Sequence, residues 1–484
     1  MSEQYTILIG VCIYMLVMLG IGIYAAKRTS SADDFMVAGR SLPLWLCAGS
    51  VMATWLGGGS MMGVSGLAYE GGLLAVIADP FGAAVGLLLV GLLVVRLLRR
   101  LRLLTVIDFI QNRFGRAAAL FSAIGMVSSS IGWSGALMVA FGSVFHALTG
   151  LSMELGIVIG GAVVLIYTAV GGMWAVALTD FVQLMIIILG LMVLLAVVVL
   201  HLGGWHAVWS DIAPGTLRMI PYENDPATWL NYLRAWFIIG IANLSSQSLL
   251  QRGLSARNEK VAQNAFYIGG LGFLAIALIP VLLGLVARVA MPGIENPDTI
   301  IPLLAMEHLH PVLMAIFVGA LLAAIMSSAD SALLSASSVL SNNILPVMRP
   351  RTANTRKLLW ARLSIPVMGV IAVIIAWKVQ SIYGLILATN EILLAAVVVP
   401  FVLGLWWKAS NRTGALAAMT VAVVVWLSSK WLWPDLPGDL LGMAACLLTM
   451  LVVTPLTQKT DPPRPLLTAD GEEIEFKDRL GILR

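Results

Sequence analysis

The sequence predicts an all-α polytopic membrane protein with about thirteen transmembrane helices. Three observations carry this. Of the 484 residues 60% are hydrophobic and only 11% charged. The mean hydropathy is +0.95. The apolar residues gather in about thirteen runs, each near the roughly 20 residues a bilayer-crossing helix needs. Soluble domains carry about twice that share of charge, so a soluble core is excluded.

In order, the runs lie near 5–25, 42–66, 72–95, 117–148, 152–170, 179–202, 229–250, 265–290, 311–343, 359–378, 382–406, 414–433 and 438–456. They are numbered below as spans 1 to 13. Span 1 has no basic residue before it and no small-residue cleavage site, and Lys27-Arg28 follow it. It reads as a retained span with its N-terminus outside, not as a signal peptide. Placing Lys27, Arg28 and Arg40 inside and alternating puts most of the 29 basic residues on the same side. Only Arg218, Arg234, Arg288, Lys378 and Lys430 fall outside. That bias is the positive-inside pattern, and it assigns Arg252 to an inner loop. The expected location is a plasma membrane, multi-pass, with a cytoplasmic C-terminus.

Two spans are interrupted. Span 2 carries Gly57-Gly58-Gly59 mid-membrane, and each glycine weakens a helix by about 1 kcal/mol against alanine. Span 7 carries Asn243, Ser245, Ser246 and Gln247 at similar depth. Unwound backbone in a bilayer is tolerated only where protein buries it or a cavity borders it. Spans 2 and 7 are five apart, so spans 2–6 and 7–11 run with opposite orientation. Paired broken helices heading two inverted halves point to a secondary transporter with a midplane site. Close helix packing through small residues is the competing reading of the glycines.

No P-loop, HExxH or usable GxSxG is present, so an enzyme is not expected. Cys12, Cys47 and Cys446 are scattered, with neither disulfide nor metal spacing.

The stretches GGMWAVALTDFVQ (171–183), QSLLQRGLSARNEKVAQ (247–263) and AAIMSSADSALLSASSVLSNNI (323–344) resemble the sodium:solute symporter family over nearly the whole chain. MATWLGGG and SSADSALLSASS are nearest the high-affinity choline transporter branch. The resemblance implies a leucine-transporter-like fold with a five-plus-five inverted repeat. The chain then divides into a first helix and inner loop (1–41), a first five-helix repeat (42–202) and an extracellular loop (203–228). A second, inverted repeat (229–406), two peripheral helices (407–456) and a cytoplasmic tail (457–484) without a fold of its own complete it.

The implied activity is sodium-coupled import of a small polar organic solute by alternating access, with an amine or quaternary-ammonium compound favoured. Sodium is transported, not held as a permanent cofactor. The other partners are the solute and the lipid bilayer; nucleic acid is not expected. A carboxylate or amino-acid symporter is the alternative, as is a sodium-independent uniporter or solute sensor of the same fold.

By the same resemblance, a first sodium site falls on the carbonyls of Ala53, Leu56 and Ala324 and the hydroxyls of Ser327 and Ser328. A second falls on Asp180, Ser327, Asp330 and Ser331. The solute pocket falls on Trp55, Gly58, Gly59, Ser60, Asp79, Trp133, Ser246 and Gln247. Trp55 and Trp133 stand at aromatic positions of the choline-branch cation cage, while Ser246, Ala83 and Ile386 replace its other rings.

The residues themselves leave alternatives open. Serines of a membrane helix also bond back to their own carbonyls, which is the reading preferred for Ser335, Ser337 and Ser338. A mid-span carboxylate costs roughly 2.5–3.5 kcal/mol to insert, and no arginine or lysine is expected near Asp180 or Asp330. A cation would pair them; Asp180 would otherwise cap the start of span 6. Asp79 either faces the solute or caps a kink at Pro80. Glu391 is either a second intramembrane acid or a plain polar interruption.

Overall fold

The computed structural model describes residues 3–149, 152–348, 356–379, 382–468 and 471–474. Among them, eight unbroken helices are long and apolar enough to cross a membrane. A bent helix pair, Gly59–Ala75 with Ile77–Leu93, whose axes diverge by 79°, joins the second half of span 2 to span 3. Span 1 is the helix Glu3–Ala26, and the other expected spans fall on shorter or broken helices.

Both expected interruptions are present. Span 2 is Leu44–Trp55, then a gap, then a wide turn at Gly59–Gly63 leading into Val64–Ala75. Span 7 is Pro226–Ile239, the short turn Ala242–Ser245, and Gln247–Ser255. Asp225 starts it by accepting the amides of Ala227 and Thr228 at 2.9 and 3.2 Å, as an N-cap carboxylate does. The loop before it holds a short helix, Trp205–Asp211.

Spans 5 and 6 form Met153–His201, reversed at Gly172 with φ 67° and ψ −174°. Only glycine adopts that conformation cheaply. A Cβ there would also lie 2.9 Å from the Phe35 ring. Span 6 therefore begins near Gly172, earlier than the expected 179.

Span 9, Pro311–Val339, is the central helix: every residue from Phe317 to Val339 is buried. Its alanines, glycine and serines let neighbouring backbones approach closely. By contrast span 10, Lys357–Val379, turns Val367, Val370 and Ile374 outward, an apolar face suited to lipid.

The expected tail begins at residue 457. Its described residues turn back on themselves: Ile474 N–H donates to the Leu466 carbonyl at 2.9 Å, and both side chains are buried. Their apolar side chains gain more by packing on the protein than by staying in water. Residues 469, 470 and 475–484 lie outside the described residues. Cys47 and Cys446 are buried free thiols; the side chain of Cys12 lies outside the described ones.

Candidate functional site

The triple glycine stops span 2 at Leu56, whose φ and ψ of −78° and 54° leave the helix. The carbonyls just before the stop then meet the hydroxyls of span 9. Ser327 Oγ donates to Ala53 O at 3.3 Å and to its own-turn Ala324 O at 3.1 Å. Ser328 Oγ donates to Thr54 O at 2.9 Å and lies 3.5 Å from Ala53 O. Ala53, Ala324, Ser327 and Ser328 are thus brought together, and Leu56 forms the break itself. Thr54 was missed, because the place where a helix stops decides which carbonyls it frees. The approach also requires Gly57, where a Cβ would stand 2.5 Å from Ser328 Oγ. Oxygens without a formal charge, crowded around a helix break, are the donor set a hard cation takes in transporters.

A second cluster adjoins the first. Asp180 accepts the Ser50 hydroxyl, and the Arg252 guanidinium lies 3.6 Å away. All three are fully buried. Arg252 donates from Nε to Ser50 Oγ at 3.2 Å and from its terminal nitrogen to the Ser331 hydroxyl. Ser331 Oγ in turn donates to Ser327 O at 2.6 Å and lies 3.1 Å from Asp330 Oδ1.

Two expectations are overturned here. An arginine does reach Asp180, because span 7 resumes as a helix after its break and carries Arg252 into the protein. Nor is Asp180 a cap, since its helix starts near Gly172, two turns earlier. Further along span 9, Ser335 and Ser338 bond back to Ala332 and Leu334, as expected. Ser337 instead crosses to the Ala361 carbonyl on span 10.

Between the two breaks lies a cavity of about 60 Å³, room for roughly four or five waters. Trp55, Gly59, Ser60, Asp79, Trp133, Ser246 and Gln247 line it, so seven of the eight expected pocket residues converge. Gly58 does not; a Cβ there would meet Ala140 of span 4 at 2.6 Å. Ser129, Ser130, Asn243, Thr389 and Asn390 also line it. Asn243 Nδ2 donates to Asn390 Oδ1 at 2.9 Å, tying the second break to span 11. The polar pair Thr389-Asn390 inside an apolar run was the available signal for that wall.

Asp79 is the one titratable side chain among the lining residues. Its Oδ2 accepts from Ser60 Oγ at 2.5 Å, just beyond the span 2 break. The carboxylate is therefore engaged with Ser60 rather than capping a kink. Its Oδ1 is buried without a hydrogen-bond partner among the described residues. Gln247 accepts the Val106 amide on Oε1 at 2.7 Å, while its Nε2 is buried without an acceptor. Glu391 stays outside this pocket. It pairs with Arg234 at 3.2 Å and Lys430 at 2.7 Å, and Arg234 also holds Asp439 at 2.7 Å.

Residues 35–422 match the sequence profile described as the Sodium:solute symporter family. The high-affinity proline transporter PutP of Bacillus subtilis is 30% identical, with 91% of this chain and 96% of that protein covered. The high-affinity choline transporter 1 of Drosophila melanogaster is 27% identical, over 87% of this chain and 70% of that one. Among solved structures, a Na⁺-coupled sialic acid symporter in a substrate-bound outward-open state superposes with a TM-score of 0.81. It is 21% identical and covers 98% of this chain and 99% of its own. Mhp1, a nucleobase-cation-symport-1 family transporter, gives 0.63 at 13% identity, over 91% of this chain and 98% of its own.

Proposed function

This chain belongs to the sodium:solute symporter family, and from that premise we infer that it imports a small polar organic solute down a sodium gradient by alternating access. Its relatives are multi-pass transporters, not enzymes, and sodium is their co-transported ion. The observation that carries the reading is the meeting of Ser327 and Ser328 with the carbonyls freed at the span 2 break, next to a cavity at the span 7 break.

In this reading sodium sits among Ala53, Leu56, Ala324, Ser327 and Ser328, and the two serine hydroxyls turn their lone pairs from the carbonyls to the ion. The solute sits beside it, touching Trp55, Asp79 and Gln247. Filling one site then favours filling the other, because both order the same broken helix. One sodium moved across about 100 mV contributes roughly 2.3 kcal/mol, enough for about fiftyfold accumulation of a neutral solute. The protein sits in a plasma membrane with residues 27–40 and 257–260 inside, and 42–202 and 229–406 are its inverted halves.

For a second sodium on Asp180, Asp330 and Ser331, the structure supplies a competitor. Arg252 already places a fixed positive charge 3.6 Å from Asp180. Unchanged sodium dependence in Asp180→Asn would leave the first site as the coupling site.

An amino-acid substrate is the second reading, favoured by one observation. The buried Gln247 Nε2 lacks an acceptor, which a solute carboxylate would supply.

The test is uptake of labelled amines, quaternary ammonium compounds and amino acids into proteoliposomes, with and without an inward sodium gradient. Sodium-driven accumulation lost in Ser328→Ala supports the proposal. Flux that ignores sodium and survives Ser328→Ala points to a uniporter instead.

A further inference from the structure

We propose that Asp79 makes this pocket selective for a solute carrying a protonated nitrogen with at least one N–H, and that it discriminates against fully methylated ammonium. The inference rests on the cavity being the solute site and goes further by naming the chemistry of its cargo.

Three features of the cavity converge on this. First, Asp79 is 6% exposed and is the one titratable side chain on the wall. No basic side chain lies within ion-pair distance of it among the described residues. A buried carboxylate without a countercharge is costly unless a cation or a proton joins it, and a protonated amine brings both a charge and an N–H. Second, its only side-chain donor is Ser60, and Oδ1 has none among the described residues. An N–H on the solute supplies both the charge and the missing donor. A quaternary ammonium supplies charge alone.

Third, the wall is poorly furnished for the alternative. A quaternary ammonium is held chiefly by aromatic faces. Trp55 and Trp133 are the only aromatic residues among the described ones that line the cavity, and Ser246 and Ile386 also stand on its wall. Ser60 bonds Asp79 directly, and Ser130, Asn243 and Asn390 put further hydrogen-bonding groups on the same wall, which a solute N–H can use and a methyl shell cannot.

The experiment uses two methylation series as probes: ethanolamine through its N-methyl and N,N-dimethyl forms to choline, and glycine likewise to glycine betaine. Each is assayed for thermal stabilisation of the purified full chain in sodium and for uptake into proteoliposomes. In at least one series the N–H-bearing members bind, and the fully methylated end member binds at least about tenfold more weakly. Asp79→Asn, which keeps the side-chain shape, lowers affinity for the amine by roughly ten- to hundredfold and flattens the series.

Preference for choline or glycine betaine over the N–H members overturns the proposal. So does failure of every N–H member to bind, or an amine affinity unchanged in Asp79→Asn. The wild-type series needs no variant to fold, and sodium-induced stabilisation of Asp79→Asn reports whether that variant does. Failure of the symport reading looks different. Amines would then bind and cross without regard to sodium, while sodium-driven uptake of the quaternary members alone defeats only this inference.

Discussion

The guanidinium of Arg252 lies 3.6 Å from the carboxylate of Asp180, and neither side chain has any exposed surface. The pair joins the half of span 7 after its break to span 6. Through Ser331 it reaches span 9 as well. Removing one partner of such a pair strands the other charge, a loss of about 3–5 kcal/mol. Arg252→Met is therefore expected to lower unfolding stability by that amount. Adding Asp180→Leu to it should restore part of the loss. Denaturant unfolding of the single and double variants measures the coupling; strictly additive losses would show that the two charges do not interact.

Gly57 is where the span 2 break comes closest to span 9. A methyl there would stand 2.5 Å from Ser328 Oγ, so Gly57→Ala must push the hydroxyl or the helix aside. The half-maximal sodium concentration for uptake should rise about tenfold, equivalent to ~1.4 kcal/mol. Sodium titration of uptake checks this. An unchanged midpoint would place the ion elsewhere.

Gly172 turns the chain into span 6 with a positive φ of 67°. Gly172→Ala should cost about 1–3 kcal/mol in backbone strain alone, and more from the contact with Phe35. Gly20 is the control: it is helical, and a Cβ there meets nothing within 4 Å. Gly20→Ala should stabilise by up to about 1 kcal/mol. Melting temperatures of the two variants should move in opposite directions.

Asp298 lies in the loop between Glu259–Ala290 and Ile300–His308. Burial, and then the neighbouring charge of Glu70, raise its pKa above the usual 3.8. The folded state thus binds this proton more tightly than the unfolded chain. Stability is then greatest below the unfolded pKa and falls as pH rises through the folded one. Asp298→Asn should accordingly gain in melting temperature over the parent as pH rises from roughly 3.5 to 6. A difference that stays flat across that range would remove the ionised Asp298 as its cause.

The sequence by itself determined the class of protein, the two broken spans and most of the residues that meet between them. Those follow from local properties: apolar length fixes which segments leave water, and consecutive glycines or amides mark where a helix cannot continue. The serine stripe of span 9 was legible because i, i+4 spacing puts Ser327 and Ser331 on one face. Only the tertiary structure decided that Arg252 enters the core, that Thr54 joins the carbonyls around Ser328, and that Glu391 belongs to an ion network with Arg234 and Lys430. The positive-inside bias counts an arginine by the nearest loop, yet Arg252 rides a half-helix that resumes beyond its break. Which partner a buried charge takes depends on packing between segments far apart in the chain, and hydropathy and spacing carry no record of that.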